Sequence, residues 1–564
     1  MKPFEIEEYF TERAIIKILC RKRALAAKKS HDKHFLRNIS TSAKNPNANI
    51  PSFIYSLFPP RRDWIRANKK ERTIRNTNSV ELNAIQLERT VFQALKKHKT
   101  NMLNAPKWLQ DIQFFVKDIQ SAALDPSSNY VIPKPSIFPV LKDKAKRQYR
   151  PISSFELKDL IIIGQIAKYL TNCFDQLFLD CSYAFRTGIN SKNKFNHHQA
   201  VRNLIAYKND NVKYYVAECD IKKFFDCVSH SEIKLKFGQF VADVATQFGI
   251  TIHDRANYIF HSYLNSFSFN NDIAMCEQQL LQSYGIRSGS IPWVTPDEFK
   301  NIGVDINNSR IGVPQGGALS CLIANIILHD VDKKVMENSD DQLFFARFCD
   351  DMILIHPDLN TCSRIFEVYK RSLEEVKLVC HQPEILSNYN AEFWKIKSKL
   401  PYCWDVSVPN SDKSSNVPWL SFVGYQVRYD NLVRIRKSSI EKELKKQVKE
   451  TGKILRVLKQ SKKSNINQKA IVFRLTQRLI SMAVGRIQHS NTKISMCWAA
   501  GFNVVKDSKN ILSQFLKLDR NRERQIRRLS RFVKSIPDVQ RISKKPFKRL
   551  KYYGKRFSYH TQFI

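Results

Sequence analysis

The sequence predicts an α+β fold, and three observations lead there. Short apolar runs rich in β-branched and aromatic residues, at 214–219, 343–348 and 352–355, have the length and content of buried strands. Apolar residues recur at helical spacing near both ends, through Phe10, Ile15, Ile16, Ile18 and Leu19 within 8–29, and through Ile440, Leu444, Val448, Ile454, Leu455 and Leu458 within 438–458. With 564 residues, 43% of them apolar, the chain can bury cores in roughly two to four domains, which excludes a wholly disordered basic protein.

Taken in order, residues 1–130 are rich in Lys, Arg and Asn and read as a helical basic N-terminal extension. Prolines at 51, 59, 60, 126, 133, 135 and 139 punctuate its length and separate it from the next segment. Residues 131–150 read as short extended pieces carrying Lys142, Lys144, Lys146, Arg147 and Arg150, a basic hairpin that is either a solvated face or a clamp for phosphates. The three predicted strands come next, then the helical pattern after 438. The last stretch, 517–556, holds 16 Lys or Arg against Asp519, Glu523 and Asp538.

Charge and cysteine usage narrow the function. Lys plus Arg number 93 against 52 acids, a formal charge of +41, and a folded protein this basic expects a polyanion, of which nucleic acid is the commonest. Among the 12 cysteines no two are separated by only two residues, so no zinc-finger spacing is written here. Their scatter suits a reducing compartment, and no stretch approaches the length of a membrane span, so the expected location is cytoplasmic with no membrane partner.

Acidic residues stand out where their surroundings are apolar and basic. Asp350 and Asp351 lie between Phe344-Phe345-Ala346-Arg347-Phe348 and Met352-Ile353-Leu354-Ile355. If those runs pair as a hairpin, the turn presents the carboxylates at its tip, and burying them requires a partner charge. A third carboxylate, Asp220, ends the run Tyr214-Tyr215-Val216-Ala217-Glu218-Cys219. Three aspartates on neighbouring strands make an oxygen-only site suited to Mg²⁺, whereas an Asp-Asp pair by itself is equally an ordinary turn. Between them, Gly312-Val313-Pro314-Gln315-Gly316-Gly317-Ala318-Leu319-Ser320 opens onto the apolar run 322–328, a loop whose glycines let backbone approach a ligand at a helix start.

In this order the motifs resemble those of bacterial reverse transcriptases related to group II intron enzymes. Tyr149-Arg150-Pro151-Ile152 looks like the fingers motif, and Ser182-Tyr183-Ala184-Phe185-Arg186 is similar to the segment that comes after it. Asp220-Ile221-Lys222-Lys223-Phe224-Phe225-Asp226 resembles the first palm motif, and Phe348-Cys349-Asp350-Asp351 the Asp-Asp motif. Phe422-Val423-Gly424-Tyr425 is similar to the primer grip, and Val433-Arg434-Ile435-Arg436-Lys437 to the start of the thumb.

The resemblance implies a right-hand polymerase: extension 1–130, fingers 131–205, palm of antiparallel sheet plus helices 206–430, and helical thumb with a basic RNA-binding region 431–564. It implies nucleotidyl transfer with two Mg²⁺ ions held by Asp220, Asp350, Asp351 and the Ile221 carbonyl. Phe225 takes the position of the sugar gate, Gln315 and Gly316 that of the nascent base pair, and Arg150 with Lys144 that of the triphosphate site. The partners implied are dNTPs, a template RNA and a DNA product, with no oligomeric state indicated.

The sequence departs from intron enzymes at Cys321, where proline is usual, and in an interval of about 85 residues between Asp226 and Gly312. No Cys/His nuclease segment and no retron-type Val-Thr-Gly signature is found. The resemblance is thereby drawn toward the defence-associated reverse transcriptases formerly called the unknown group, which implies a dedicated noncoding RNA as template. Two alternatives stay open: a maturase-like RNA-binding protein, and a template-independent or protein-primed DNA polymerase.

Overall fold

The computed structural model describes residues 4–40, 53–68, 79–188, 195–209, 212–383, 393, 396–405, 419–461, 466–484 and 509–538. Helices and antiparallel sheets are mixed along the chain, an α+β architecture. The chain divides into two units, one formed by 1–18 with 111–423 and the other by 19–110 with 424–564.

The first unit is centred on a four-stranded sheet. The predicted apolar runs form β3 (Tyr214–Asp220), β4 (Phe344–Phe348) and β5 (Asp351–His356), which β6 (Lys399–Trp404) joins in the order β4-β5-β3-β6. Every pairing is antiparallel. Helix Leu359–Glu375 packs on β3, β5 and β6 and against helix Ala318–Glu337, and successive residues of β3, β4 and β5 are buried on both faces. Burial on both sides explains why their sequences are apolar throughout rather than alternating. The short strand β7 (Trp419–Phe422) lies near β5. Among the described residues no helix is long and apolar enough to cross a membrane, and every cysteine is a free thiol.

The basic hairpin is present as β1 (Ser136–Asp143) and β2 (Gln148–Ser154), with a register shift between Leu141 and Asp143. The N-terminal helical pattern is split. Ile6–Tyr9 is one short helix, and a second runs Glu12–Ser40, its first turn met by the Thr11 hydroxyl accepting from the Ala14 amide.

The long interval before Gly312 begins with helices His230–Phe248 and Asp254–Asn265, which pack on helices Leu157–Phe174 and Ala318–Glu337, and its second part, the inserted element 267–311, has a core of its own. Phe267, Phe269, Ile273, Leu281, Ile291, Val294, Phe299, Val304 and Ile311 bury together, and Ile137 and Tyr149 of the hairpin pack against them. The Ser290 carbonyl accepts from the Tyr149 amide (2.8 Å), the Ser290 amide donates to the Arg147 carbonyl (3.1 Å), and the Tyr284 hydroxyl donates to the Ile137 carbonyl (2.9 Å). Gly289 (φ +155°) makes this approach possible, since a Cβ there would lie 2.5 Å from the Tyr149 ring and 2.8 Å from the Arg147 carbonyl. The inserted element therefore holds the hairpin strand that carries Arg150. Gly289→Val should push that strand away and raise the KM for dNTP by about tenfold to a hundredfold with a smaller change in kcat. Steady-state extension kinetics decide this, and an unchanged KM would mean the hairpin is positioned without the insert.

In the second unit, β8 (Tyr425–Arg428) pairs with β9 (Val433–Ile435). Helices Lys437–Gln460, Gln468–Val484 and Lys509–Lys534 pack on one another around Ile454, Leu455, Leu458, Ile471, Leu475, Leu479, Leu529 and Val533. The predicted helical pattern at 438–458 lies within the first of these.

Candidate active site

The β4–β5 turn is built by Cys349, in the left-handed region at φ +62°, and Asp350, so Asp350 stands at the tip while Asp351 begins β5 opposite Asp220 of β3. The alignment of three carboxylates thus arises from strand register across 130 residues of intervening sequence. The Asp350 carboxyl is held above its ordinary pKa, first by burial and then by the negative charge of Asp220. Asp220 meets an ammonium: Lys397 pairs with it, and the His381 ring nitrogen lies 3.6 Å away. Burial and Lys397 push His381 down to about 4, leaving it neutral at physiological pH. Ile221 has a buried side chain and forms an antiparallel bridge with Cys380.

Around these carboxylates stand the residues nominated for the nucleotide. Phe224 is core, whereas Phe225 is half-buried, and its carbonyl accepts from the Val313 amide (2.7 Å). Gln315 donates through its side-chain amide to Asp226, and its carbonyl accepts from the Ser153 amide (3.0 Å). Gly316 (φ +112°) passes the β2 backbone so closely that a Cβ would lie 3.2 Å from the Ser153 carbonyl. The loop is therefore stitched to β2 on one side and to the helix Phe224–Cys227 on the other.

Asp226, 3% exposed, is the hub of that stitching, and the sequence motifs do not single it out. Burial raises its carboxyl to about 6, against the downward pull of Gln315, Lys223, Arg150 and Lys142. Arg150 is thus near the carboxylates, and so is Lys142, whose ammonium is depressed by burial, Arg150 and Lys397 while Asp226 and Asp220 pull the other way. Lys144 sits in the exposed turn of the hairpin, two residues further along. Lys142 is exposed like Lys144 and Lys146, and the register shift of β1 at its position is the local feature that marks it off from them.

Arg347 is a second residue to which the motifs give no role. Fully buried in β4, it forms a fork with Asp332 (2.7 and 2.6 Å) and donates to the Ser182 hydroxyl (2.9 Å) and to the Cys349 carbonyl in the carboxylate-bearing turn (3.2 Å). Its backbone pairs with the segment of the Ser-Tyr-Ala-Phe-Arg motif, through Arg347 N to Cys181 O (2.8 Å) and Tyr183 N to Arg347 O (2.9 Å). Arg186 of that motif is paired with Asp175 at 2.8 Å and is structural. Further on, Val423 (φ +41°) and Gly424 (φ +89°) make the tight turn between buried Phe422 and Tyr425.

Among the described residues no group of three or more His, Cys, Asp or Glu side chains is arranged to hold a metal ion. The donor set nevertheless fits one. Asp220 and Asp350 repel each other, an ammonium partly neutralises Asp220, and all donors are oxygens, the chemistry a hard divalent cation requires.

Residues 132–382 match the family described as reverse transcriptase (RNA-dependent DNA polymerase). Solved structures similar to the chain include apo telomerase from Candida tropicalis, at 11% identity over 80% of this chain and 74% of that one, with a TM-score of 0.35. Telomerase from Candida albicans in complex with a fragment of telomeric RNA is another, at 13% identity over 82% and 73%, with a TM-score of 0.30. No curated protein matches the sequence. The chain carries a reverse transcriptase domain over residues 132–382 and is an RNA-directed DNA polymerase, a nucleotidyltransferase.

Proposed function

We propose that this polymerase copies a dedicated noncoding RNA into DNA in bacterial antiphage defence, as a relative of the group II intron enzymes. The observation that carries the polymerase chemistry is the meeting of Asp220 and Asp350 beside Lys142, Arg150 and the Gln315 loop. Asp220, Asp350, Asp351 and the Ile221 carbonyl would hold two Mg²⁺, which when bound activate the primer 3′-hydroxyl and stabilise the leaving pyrophosphate. Arg150 and Lys142, with Lys144 at the hairpin turn, neutralise the triphosphate of the incoming dNTP. Phe225 lies beneath the sugar, and Gln315, oriented by Asp226, lines the new base pair with Gly316. Residues 131–205 serve as fingers, 206–430 as palm and 431–564 as thumb and RNA-holding region, in a protein of the cytoplasm.

Sequencing the RNA and DNA that copurify with the protein tests the template assignment. The expected result is one abundant RNA with complementary DNA. A heterogeneous RNA pool, or DNA without a complement in the RNA, overturns it in favour of a maturase-like or template-independent role. Phage plating with Asp350→Asn tests the defence role, which predicts loss of protection.

Phe225→Ala should relax sugar selection, because the aromatic ring occupies the space a 2′-hydroxyl needs. The ratio of rNTP to dNTP incorporation is expected to rise by about tenfold to a hundredfold, the scale of a few kcal/mol of steric exclusion. A fall in total activity at constant ratio would make Phe225 a packing residue.

RNA holding is expected from helix Lys509–Lys534, where Arg524, Arg527, Arg528 and Arg531 lie on the solvent side, away from buried Leu518, Gln525, Leu529 and Val533. Of the aromatic rings interleaved with these cations, which could stack on unpaired bases, Phe532 packs against the bundle core, and Phe547, Tyr552, Tyr553 and Phe557 lie outside the described residues. The helix therefore offers cations rather than stacking faces. Replacing the four arginines with Gln should flatten the slope of log affinity against log salt by roughly two to four units without lowering extension on a saturating primer and template. An unchanged slope would return this face to ordinary solvation.

A further inference from the structure

A second basic site lies in the N-terminal part of the second unit. Arg61, Arg62, Trp64, Arg66, Ala67 and Gln86 line a cavity of about 480 Å³, and none of these residues is acidic. The segment is fixed to helix Ser79–Lys97 by the Ile65 amide donating to the Thr90 hydroxyl (2.9 Å), and the Trp64 indole donates to the Pro59 carbonyl (2.9 Å). Arg61 touches Asn83 at 3.3 Å, and Arg62 pairs with the exposed Asp63 at 3.6 Å. Neither Arg61 nor Arg66 has a carboxylate partner among the described residues.

Behind the cavity wall is a fourth guanidinium. Arg23 is 6% exposed, stacked 3.8 Å from the Tyr55 ring centre and 5.4 Å from that of Trp64, and its Nε and Nη1 have no hydrogen-bond partner among the described residues. Aromatic faces compensate such a charge only in part, and a buried cation without an anion is costly. Three guanidinia line the cavity and a fourth lies against the Trp64 ring in its wall, while exposed Asp63 is the one carboxylate paired with any of them among the described residues, so the site carries an excess of cation that suits an anion.

We propose that this cavity binds backbone phosphates of the RNA that the polymerase holds. The proposal rests on the reading of the chain as an RNA-binding polymerase and adds a place of contact to it. Backbone rather than base is recognised, because the aromatic rings are committed: Trp64 is buried and hydrogen-bonded, and Tyr55 is covered by Arg23. Planar guanidinia bind phosphate oxygens in pairs, so the contact is independent of sequence and strongly dependent on salt.

The test uses the full chain with Arg61→Gln, Arg62→Gln and Arg66→Gln combined, and measures binding of a single-stranded RNA of mixed sequence by fluorescence anisotropy across a salt series. Loss of three phosphate contacts should lower the salt slope by about two units and weaken affinity by about tenfold or more. Arg→Lys at the same three positions should restore most of the slope, which a merely structural defect would not. Extension on a saturating primer and template should equal wild type, and failure there alone would indict the fold of the variant, which the Lys variant then replaces in the binding comparison. An unchanged slope in the Gln variant overturns the proposal. So does competition in which inorganic tripolyphosphate binding depends on the three arginines while RNA binding does not, since the site would then take a small free polyphosphate. The C-terminal arginine variant tests RNA holding separately, so a flat response there together with a changed slope here separates this site from the wider reading.

Discussion

Asp220→Asn and Asp350→Asn are each expected to lower dNTP incorporation by roughly a thousandfold or more while leaving RNA affinity within about twofold, because each removes charge where the reaction develops it and neither removes a cation. The two differ in what they leave behind. Asp220→Asn deprives Lys397 of its ion-pair partner and His381 of its neighbouring carboxylate. Asp350→Asn removes a group whose ionised form is disfavoured by burial and by Asp220, so it should raise thermal stability measured in the presence of a chelator.

The pH dependence has a definite sign. A carboxyl whose folded pKa lies above its unfolded value contributes stability that is present below the unfolded value and is lost as pH rises through the folded one. Metal-free wild type should therefore lose stability through the range just above the ordinary carboxylate pKa, and Asp350→Asn should lack that share of the slope. Wild-type extension by both variants would remove the active-site assignment, and a chelator-melt profile identical to wild type would show that Asp350 is not strained by Asp220.

Local features are legible in the sequence, and features assembled at a distance are not. The strands β3, β4 and β5 are continuous apolar runs that each meet an aspartate, so strand, turn and carboxylate are visible in single windows of ten residues. Asp226 looks like the tail of a motif, because its partner Gln315 lies 89 residues away. Lys142 looks like one of several lysines of a hairpin, and only the register shift after Leu141 distinguishes it from Lys144. The inserted element is opaque for another reason. Its helices Glu277–Ser283 and Pro296–Asn301 are 7 and 6 residues long, too short to show a period, and its core is drawn from scattered positions. Arg347 does carry a signal: a guanidinium in the middle of the run Phe344–Phe348 cannot be solvated there, and its burial alone demands a carboxylate elsewhere in the chain.

Removing that guanidinium should be the most damaging change to the fold. Arg347 and Asp332 are both essentially inaccessible, and Arg347→Met would leave Asp332 as a buried carboxylate held only by its neighbours, a loss on the order of 3–5 kcal/mol. The Asp332 carboxyl is already raised by burial despite Arg347, so without its partner it should take up a proton on folding. Asp332→Asn should destabilise to a similar degree by stranding the cation. The double variant Arg347→Met with Asp332→Leu should recover much of the loss, because two apolar side chains fill the same space without a desolvation cost. Stability and activity then separate. The double variant regains a folded sheet but not the Arg347 donor to the Cys349 carbonyl, so the turn carrying Asp350 is no longer tied from beneath. Denaturant melts should show the single variants well below wild type and the double variant near it, while extension by the double variant stays reduced by about tenfold or more. Full activity in the double variant would mean that Arg347 supports only the fold, and equal stability of all three with wild type would mean that the pair is not the anchor of this sheet.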